Sequence, residues 1–345
     1  MSHRCLVAAG ALAAVLAAML LVAVSVAGQT SQAPQVQSNR APAAVALDKA
    51  KASLGKPYAQ PKTAWGDPDL QGVWSYATTT PLSRPDGSKN ELTDEEAAAD
   101  EERASALQDA PPRPGDPGTY NDFWWDRGKK LDRPSLIIDP PDGKLPIKPE
   151  AAKARAERAA YQRAHPADSY LDRSPTDRCI IYHGVPPVPS GYSNTYQIVQ
   201  APRLVAIYDE EIHHIRLIPL DGRPHLTDSV RHWNGDSRGH WEGDTLVVET
   251  TNFNEKTALR YQGSSNTRAV ERFKRVSADM IDYRYTITDP TVFTRPFTVA
   301  IPMPRRTDDI YEYACHEGNH SIVGILAGAR AQEKAAEGSA KTRPR

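Results

Sequence analysis

The sequence predicts a mainly β protein. It reads as an antiparallel meander closed into a barrel, or alternatively folded into a β-sandwich, with helical insertions in the N-terminal half. Three observations predict this. From about Tyr192 onward, short alternating or apolar runs recur between turn signals: YQIVQ, RLVAIYD, HHIRLIPL, GHW, TLVVETTNF, RAVERFKRV, MIDYRYTIT, FTVAIPM and IYEYAC. Asp221-Gly222 and Gly243-Asp244 mark turns among them. The connections are too short for crossover helices, so neighbouring strands pair antiparallel. So many strands leave edges that closure or stacking must protect.

The elements follow in chain order. Arg4 precedes an apolar run from Leu6 to Val24, and Ser25-Val26-Ala27 offers small residues for cleavage, so residues 1–27 read as a secretory signal peptide. The run approaches the roughly 20 residues that span a bilayer, which leaves an uncleaved anchor as the rival. Residues 28–63, rich in Ala, Pro, Gln and Lys, read as a flexible linker. A single β-rich domain is expected over 64–330, where Gly72 and Trp74 open its first strand. Residues 91–107 have helix-forming composition, with Thr93 placed as N-cap and Glu96 three residues on. Pro111–Gly118 breaks that helix, and SLIIDPPDG reads as a strand ending in a Pro-Asp-Gly turn. A second helix is expected over 149–165, where Ala, Arg, Lys and Glu dominate. SIVGILAGA reads as a short packing helix, and residues 331–345 as a disordered tail.

Charge and cysteine usage restrict the partners. Over 345 residues the net charge is −1, with no dense basic patch interleaved with aromatics, so the footprint of a nucleic-acid binder is missing. No later apolar run is long enough to span a membrane. Loss of the signal removes Cys5 and leaves Cys179 and Cys315 in an oxidising compartment, the periplasm or the exterior. A disulfide between them closes a loop worth about 4–5 kcal/mol on the loop-entropy model; two separate buried thiols are the alternative.

The stretch from Ile212 to Asn254 concentrates the polar chemistry. It holds five of the ten histidines: His213, His214, His225, His232 and His240. Placed at a barrel mouth, Arg238 clamps an oxygen while His232 or His240 with Asp236 transfers a proton, which makes these four the candidate catalytic residues. The structural alternative is a hairpin in which Trp241 packs and Arg238 holds a carboxylate. His214, His225 and Trp241 are candidate binding residues. No ligand spacing among the histidines is diagnostic, so no cofactor is assigned, although a His-bound transition metal stays open. His316, Glu317 and His320 match H-E-x-x-H formally, but Gly318 and Asn319 disfavour the helix that motif needs. His316 and Glu317 are instead expected to line a pocket beside a bridged Cys315. Trp124 and Trp125 point to opposite sides of an extended segment, so one can cap a cavity. No Gly-rich phosphate loop, G-x-S-x-G elbow or C-x-x-C-H occurs.

Gly72-Val73-Trp74 resembles the Gly-x-Trp opening of lipocalin-like barrels. Nearly the whole mature chain resembles a large family of uncharacterised secreted bacterial proteins. The matching strings are DPDLQGVW, FWWDRG, SLIIDPPDG, GDSRGHWEGDTLVVETTNF, ERF, DPTVFTRP and YEYACHEGN. That resemblance implies export and no particular activity. Two functional classes follow. One is an enzyme acting on a small organic molecule by His/Asp/Arg acid–base chemistry: hydrolysis, isomerisation or elimination. The other is a non-catalytic carrier of an apolar ligand; an extracytoplasmic interaction module stands third.

Overall fold

The computed structural model describes residues 58–89, 91–108, 126, 128–257 and 263–341. The expected signal peptide and most of the expected linker lie outside the described residues. At the centre, one sheet curls into a barrel. Around it run, in order, β5 (His214–Pro219), β4 (Leu204–Asp209), β3 (Thr195–Ala201), β1 (Gly72–Ser75) and β10 (Phe297–Arg306). The order continues through β9 (Met280–Thr288), β8 (Arg268–Ser277), β7 (Thr245–Thr251) and β6 (Asp236–Glu242). A short β2 (Ile137–Asp139) pairs with β10 off this path.

The number of strands sets the closure. All eight pairings along the nine-strand path are antiparallel. Eight reversals return the last strand to the direction of the first, so β5 and β6 run the same way where the barrel closes. A parallel neighbour requires a crossover of a dozen residues or more, and residues 220–235 supply it. No backbone ladder joins β5 to β6 among the described residues, and side chains seal the seam instead. Arg216 Nε donates across it to Ser237 Oγ (2.9 Å), and Ser237 Oγ meets Thr250 Oγ1 at 2.9 Å. The Arg216 guanidinium then forks onto Glu271, with Nη1 donating to Oε1 at 3.1 Å and Nη2 to Oε2. Tyr283 Oη donates to the same Glu271 Oε1 at 2.7 Å. Arg216 is 6% and Glu271 0% exposed, so this network is interior. Gly239 lets the strands approach: a Cβ there would stand 2.6 Å from Leu220 Cδ2 and 2.8 Å from Ile218 Cγ2.

Alternation fills the axis. Trp74, Tyr196, Phe273, Ile281, Tyr283, Tyr285 and Phe297 are all buried inside. Trp74 Nε1 donates to Leu70 O (2.9 Å), with Arg275 and Arg305 over its ring at 5.4 and 5.7 Å. Gly72 and Trp74 thus start the barrel as the sequence predicts.

The helices match closely. In α1 (Asp94–Gln108), Glu96 N donates to Thr93 Oγ1 (3.2 Å) and Thr93 N to Glu96 Oε2 (3.0 Å), the reciprocal capping box. α2 (Pro149–Ala164) starts on its proline and buries no residue. Three expectations need correction. Order begins before residue 64, since Lys62 bridges Pro68 and Asp69 N donates to Pro61 O. IYEYAC forms no strand: once β10 ends at Arg306, the chain leaves the sheet and is tied down at Cys315. The segment expected as a tail is helical to Lys341 within α3 (Ser321–Lys341), because its Ala, Glu, Lys and Arg residues are good helix formers. Cys179 and Cys315 are disulfide-bonded, across a separation of 136 residues.

The seam network is expected to dominate stability. In urea denaturation at neutral pH, Arg216→Met or Glu271→Leu alone should lose about 3–5 kcal/mol, because each leaves the other charge buried and alone. The double variant should lose clearly less than the two single losses added together. Additive losses would show that the two residues do not act as a pair.

Candidate functional site

Two groups of polar side chains differ in where the barrel puts them. On β6, Ser237, Gly239 and Trp241 face the interior, so Asp236, Arg238 and His240 face out. The structure brings Asp236, Arg238 and His225 together on that outer face. His225 Nδ1 lies 2.8 Å from Asp236 Oδ2, and Arg238 Nη2 lies 3.2 Å from Asp236 Oδ1. The same Asp236 Oδ2 accepts from Leu226 N at 3.1 Å, and Arg238 Nε donates to Pro224 O at 3.2 Å. Asn252 Nδ2 donates to the carbonyls of Leu226, Thr227 and Val230 at 2.9–3.1 Å. These contacts fasten the crossover to the barrel wall. His240 points to solvent beside Glu242 (3.2 Å), and His232 is exposed while its backbone pairs with 252–254. The four expected catalytic residues therefore do not converge on a mouth. Trp241 packs against the core.

His316 and Glu317 are exposed in a turn before α3 and line neither cavity described below. The H-E-x-x-H spacing thus lies off any helix. Trp124 and Trp125 lie outside the described residues. Among the described residues, no three His, Cys, Asp or Glu side chains are grouped to hold a metal ion.

The mouth itself is built by other residues. It is the barrel end where β1 runs out at Ser75, β3 starts at Thr195, β4 ends at Asp209 and β5 starts at His214. Segments 174–194 and 307–320, joined by the disulfide, lie at this end. A cleft here is lined by His183, Asp209, Glu211, His214, Arg216 and Asn234, among others. The space open to the centre of a water molecule is about 20 Å³, room for about one water.

Two groups in this cleft have reversed proton affinities. Burial pushes the Glu211 carboxyl up to about 8, and the neighbouring Asp209 and Glu210 charges add to the shift. The Ser193 and Tyr313 hydroxyls pull it down part of the way, yet neither reaches hydrogen-bond geometry, and both carboxyl oxygens are buried without a partner. Asn234 Oδ1, on the same cleft, is likewise buried and unpartnered. Burial drives His214 the other way, below its ordinary value, and Arg216 adds to this while Asp209 opposes it. The turn carrying Glu211 is strained: Ile212 and His213 both adopt positive φ, at 57° and 38°. For a β-branched residue that costs about 1–3 kcal/mol, which the surrounding structure must offset.

Behind the cleft runs a buried relay. Tyr76 Oη donates to Asp209 Oδ1 (3.1 Å) and lies 2.9 Å from His183 Nδ1. Burial, with Asp209 beside it, pushes the Tyr76 phenol well above its ordinary range, so it keeps its proton. That proton is given to Asp209, so the phenol oxygen must accept from Nδ1–H of His183. In the neutral imidazole this tautomer makes the other nitrogen, Nε2, the acceptor, 2.9 Å from Ser190 Oγ. None of these relay residues stands out in sequence, because no fixed spacing connects positions 76, 183, 190 and 209. Among the described residues, only His214 of the expected binding set lines the cleft.

Glu211 gives a pH dependence with a definite sign. Between its ordinary 4.5 and about 8, the native state holds a proton that the unfolded chain has lost. The resulting stability is full below about 4.5 and declines as pH rises to about 8, by about 5 kcal/mol. Urea midpoints measured across that range should fall more steeply for the wild type than for Glu211→Gln. Parallel curves would show that Glu211 is not held protonated.

No family model matches this chain, and neither does any curated protein or solved structure, so the functional reading rests on this geometry.

Proposed function

We propose that this protein is an exported enzyme acting on a small organic molecule by proton transfer, with Glu211 as acid and His214 as base. The observation that carries the reading is the pairing, in one cleft, of a carboxyl held up to about 8 and a histidine held down. Near neutral pH the first is largely a donor and the second a neutral acceptor. Groups whose environments push their proton affinities apart in this way suit acid–base catalysis. Asn234 Oδ1 offers a further acceptor to orient a substrate hydroxyl or amine.

The available space admits one small polar group of the substrate, such as a carbonyl or hydroxyl, not a whole molecule. The remainder would rest against segments 174–194 and 307–320. Export is supported by the leader-like N-terminus and by the Cys179–Cys315 disulfide, a bond that persists in oxidising compartments. Among the described residues no helix is long and apolar enough to cross a membrane. The carrier reading is less favoured, because the barrel axis is occupied by the protein's own aromatic side chains.

The test is a turnover screen of the mature chain against small esters, lactones, hydroxy acids and keto acids. On any compound turned over, Glu211→Gln and His214→Gln should each lower kcat/KM by about 100- to 10,000-fold. His240→Ala, on the outer face, should leave it unchanged. Full activity in both mouth variants would overturn the assignment.

A further inference from the structure

We propose that Ser190 is an activated nucleophile and that the protein cleaves small esters through an acyl-serine intermediate. The inference goes beyond the acid–base reading above: its substrate cavity is a different one, and only its relay residues His183 and Asp209 also line the first cleft. Three independent features support it.

The first is alignment. Ser190 Oγ stands 2.9 Å from His183 Nε2, and the opposite ring nitrogen is fixed through Tyr76 to Asp209. The Ser190 hydroxyl also reaches Tyr192 O at 3.0 Å, so its proton has two acceptors and transfers once turned toward the imidazole. On protonation, the imidazolium has Asp209 Oδ1 3.8 Å from Nδ1. A nucleophile, a base and a group that orients the base recur in this relation on unrelated folds.

The second is rigidity. Asn194, fully buried, accepts from Ser190 N through Oδ1 (2.7 Å) and donates from Nδ2 to Ser190 O (2.9 Å). Asp126 holds the same loop, accepting from Asn194 N (3.1 Å) and donating its own N–H to Gly191 O (2.8 Å). The serine backbone is thus clamped on both sides, as positioning a nucleophile requires.

The third is a place for substrate. Ser190 borders a second cavity with about 270 Å³ open to water, also lined by Thr78, Thr79, Asp126 and Pro189. That is at the small end of ligand sites. Thr79 lines this cavity, and its Oγ1, buried without a hydrogen-bond partner, would reach the oxyanion after a turn of the side chain.

The chemistry balances with water as co-reactant. Ser190 Oγ attacks the ester carbonyl as its proton passes to His183 Nε2. The carbon–oxygen bond to the leaving group breaks, and His183 returns the proton to that alkoxide, releasing an alcohol. Water then attacks the acyl-serine, giving a proton to His183. The acyl–Oγ bond breaks, Ser190 regains its proton, and a carboxylic acid leaves.

The experiment is covalent labelling of the full mature chain with a fluorophosphonate, read by intact mass and peptide mapping. One phosphonyl adduct on Ser190 is expected, lost in Ser190→Ala and formed about 100-fold more slowly in His183→Gln. Ser190 is partly buried and its substitution removes only the hydroxyl, so its alanine variant should fold, and a melting curve verifies this. The wild-type result stands whether or not the buried His183 variant folds. No adduct at millimolar probe, or one that persists in Ser190→Ala, overturns the proposal. An unlabelled Ser190 in a protein whose turnover depends on Glu211 and His214 refutes this inference alone. Labelling of Ser190 with turnover indifferent to Glu211→Gln and His214→Gln refutes the other reading alone.

Discussion

The ion pair between Arg216 and Glu271 is what the barrel closes on. Everywhere else around the sheet, neighbouring strands exchange backbone hydrogen bonds. At the β5–β6 seam that currency is missing, and one guanidinium reaches from β5 to side chains on β6, β7 and β8. Buried charge is costly in an apolar interior, and the cost is tolerated only when partners are complete. Here they are. Burial would drive the Arg216 proton off, but the Glu271 charge and hydrogen bonds outweigh it and hold the guanidinium above its ordinary value. An apolar seam of equal volume would pack as well, yet would specify less sharply which strands meet.

The odd strand number also explains the polarity of residues 220–235. A crossover that runs along the outside of a barrel has no second strand to satisfy its backbone. Asp236, Arg238 and Asn252 serve its N–H and C=O groups, and His225 packs its ring nitrogen against Asp236. Side chains that look like catalytic machinery in a linear reading are here anchors of an exposed connection. The candidate cleft lies at a barrel end instead, where the strained Glu211–His213 turn points a carboxyl inward.

Much of the fold was legible in the sequence, for physical reasons. Alternation at period two located β3 through β10, and the Thr93–Glu96 box located the start of α1. The cysteine pair followed from the expectation of a leader carrying Cys5, which leaves Cys179 and Cys315 as the two to be joined. What stayed hidden was long-range. Tyr76, His183, Ser190 and Asp209 come from three segments, and nothing local distinguishes a buried relay tyrosine from a core one. Glu211 sits in an ordinary acidic triplet, DEE, and acquires its character only from burial. IYEYAC carries the pattern of a strand, yet the strands it follows are already paired: β10 lies between β1 and β9, and the chain leaves the sheet after Arg306 toward Cys315.

That last placement bears on how the chain is made. β1 is the first strand to be synthesised, and one of its two neighbours, β10, is the last. The barrel therefore cannot close from either end while the polypeptide is still emerging. A chain of this order must stay largely open until its synthesis is nearly complete, with β1 waiting beside β3. Truncation anywhere before residue 306 would leave two unpaired edges in a protein whose seam is already without a ladder. Such an architecture commits the cell to delivering the entire polypeptide, and to guarding it against self-association until the final strand arrives.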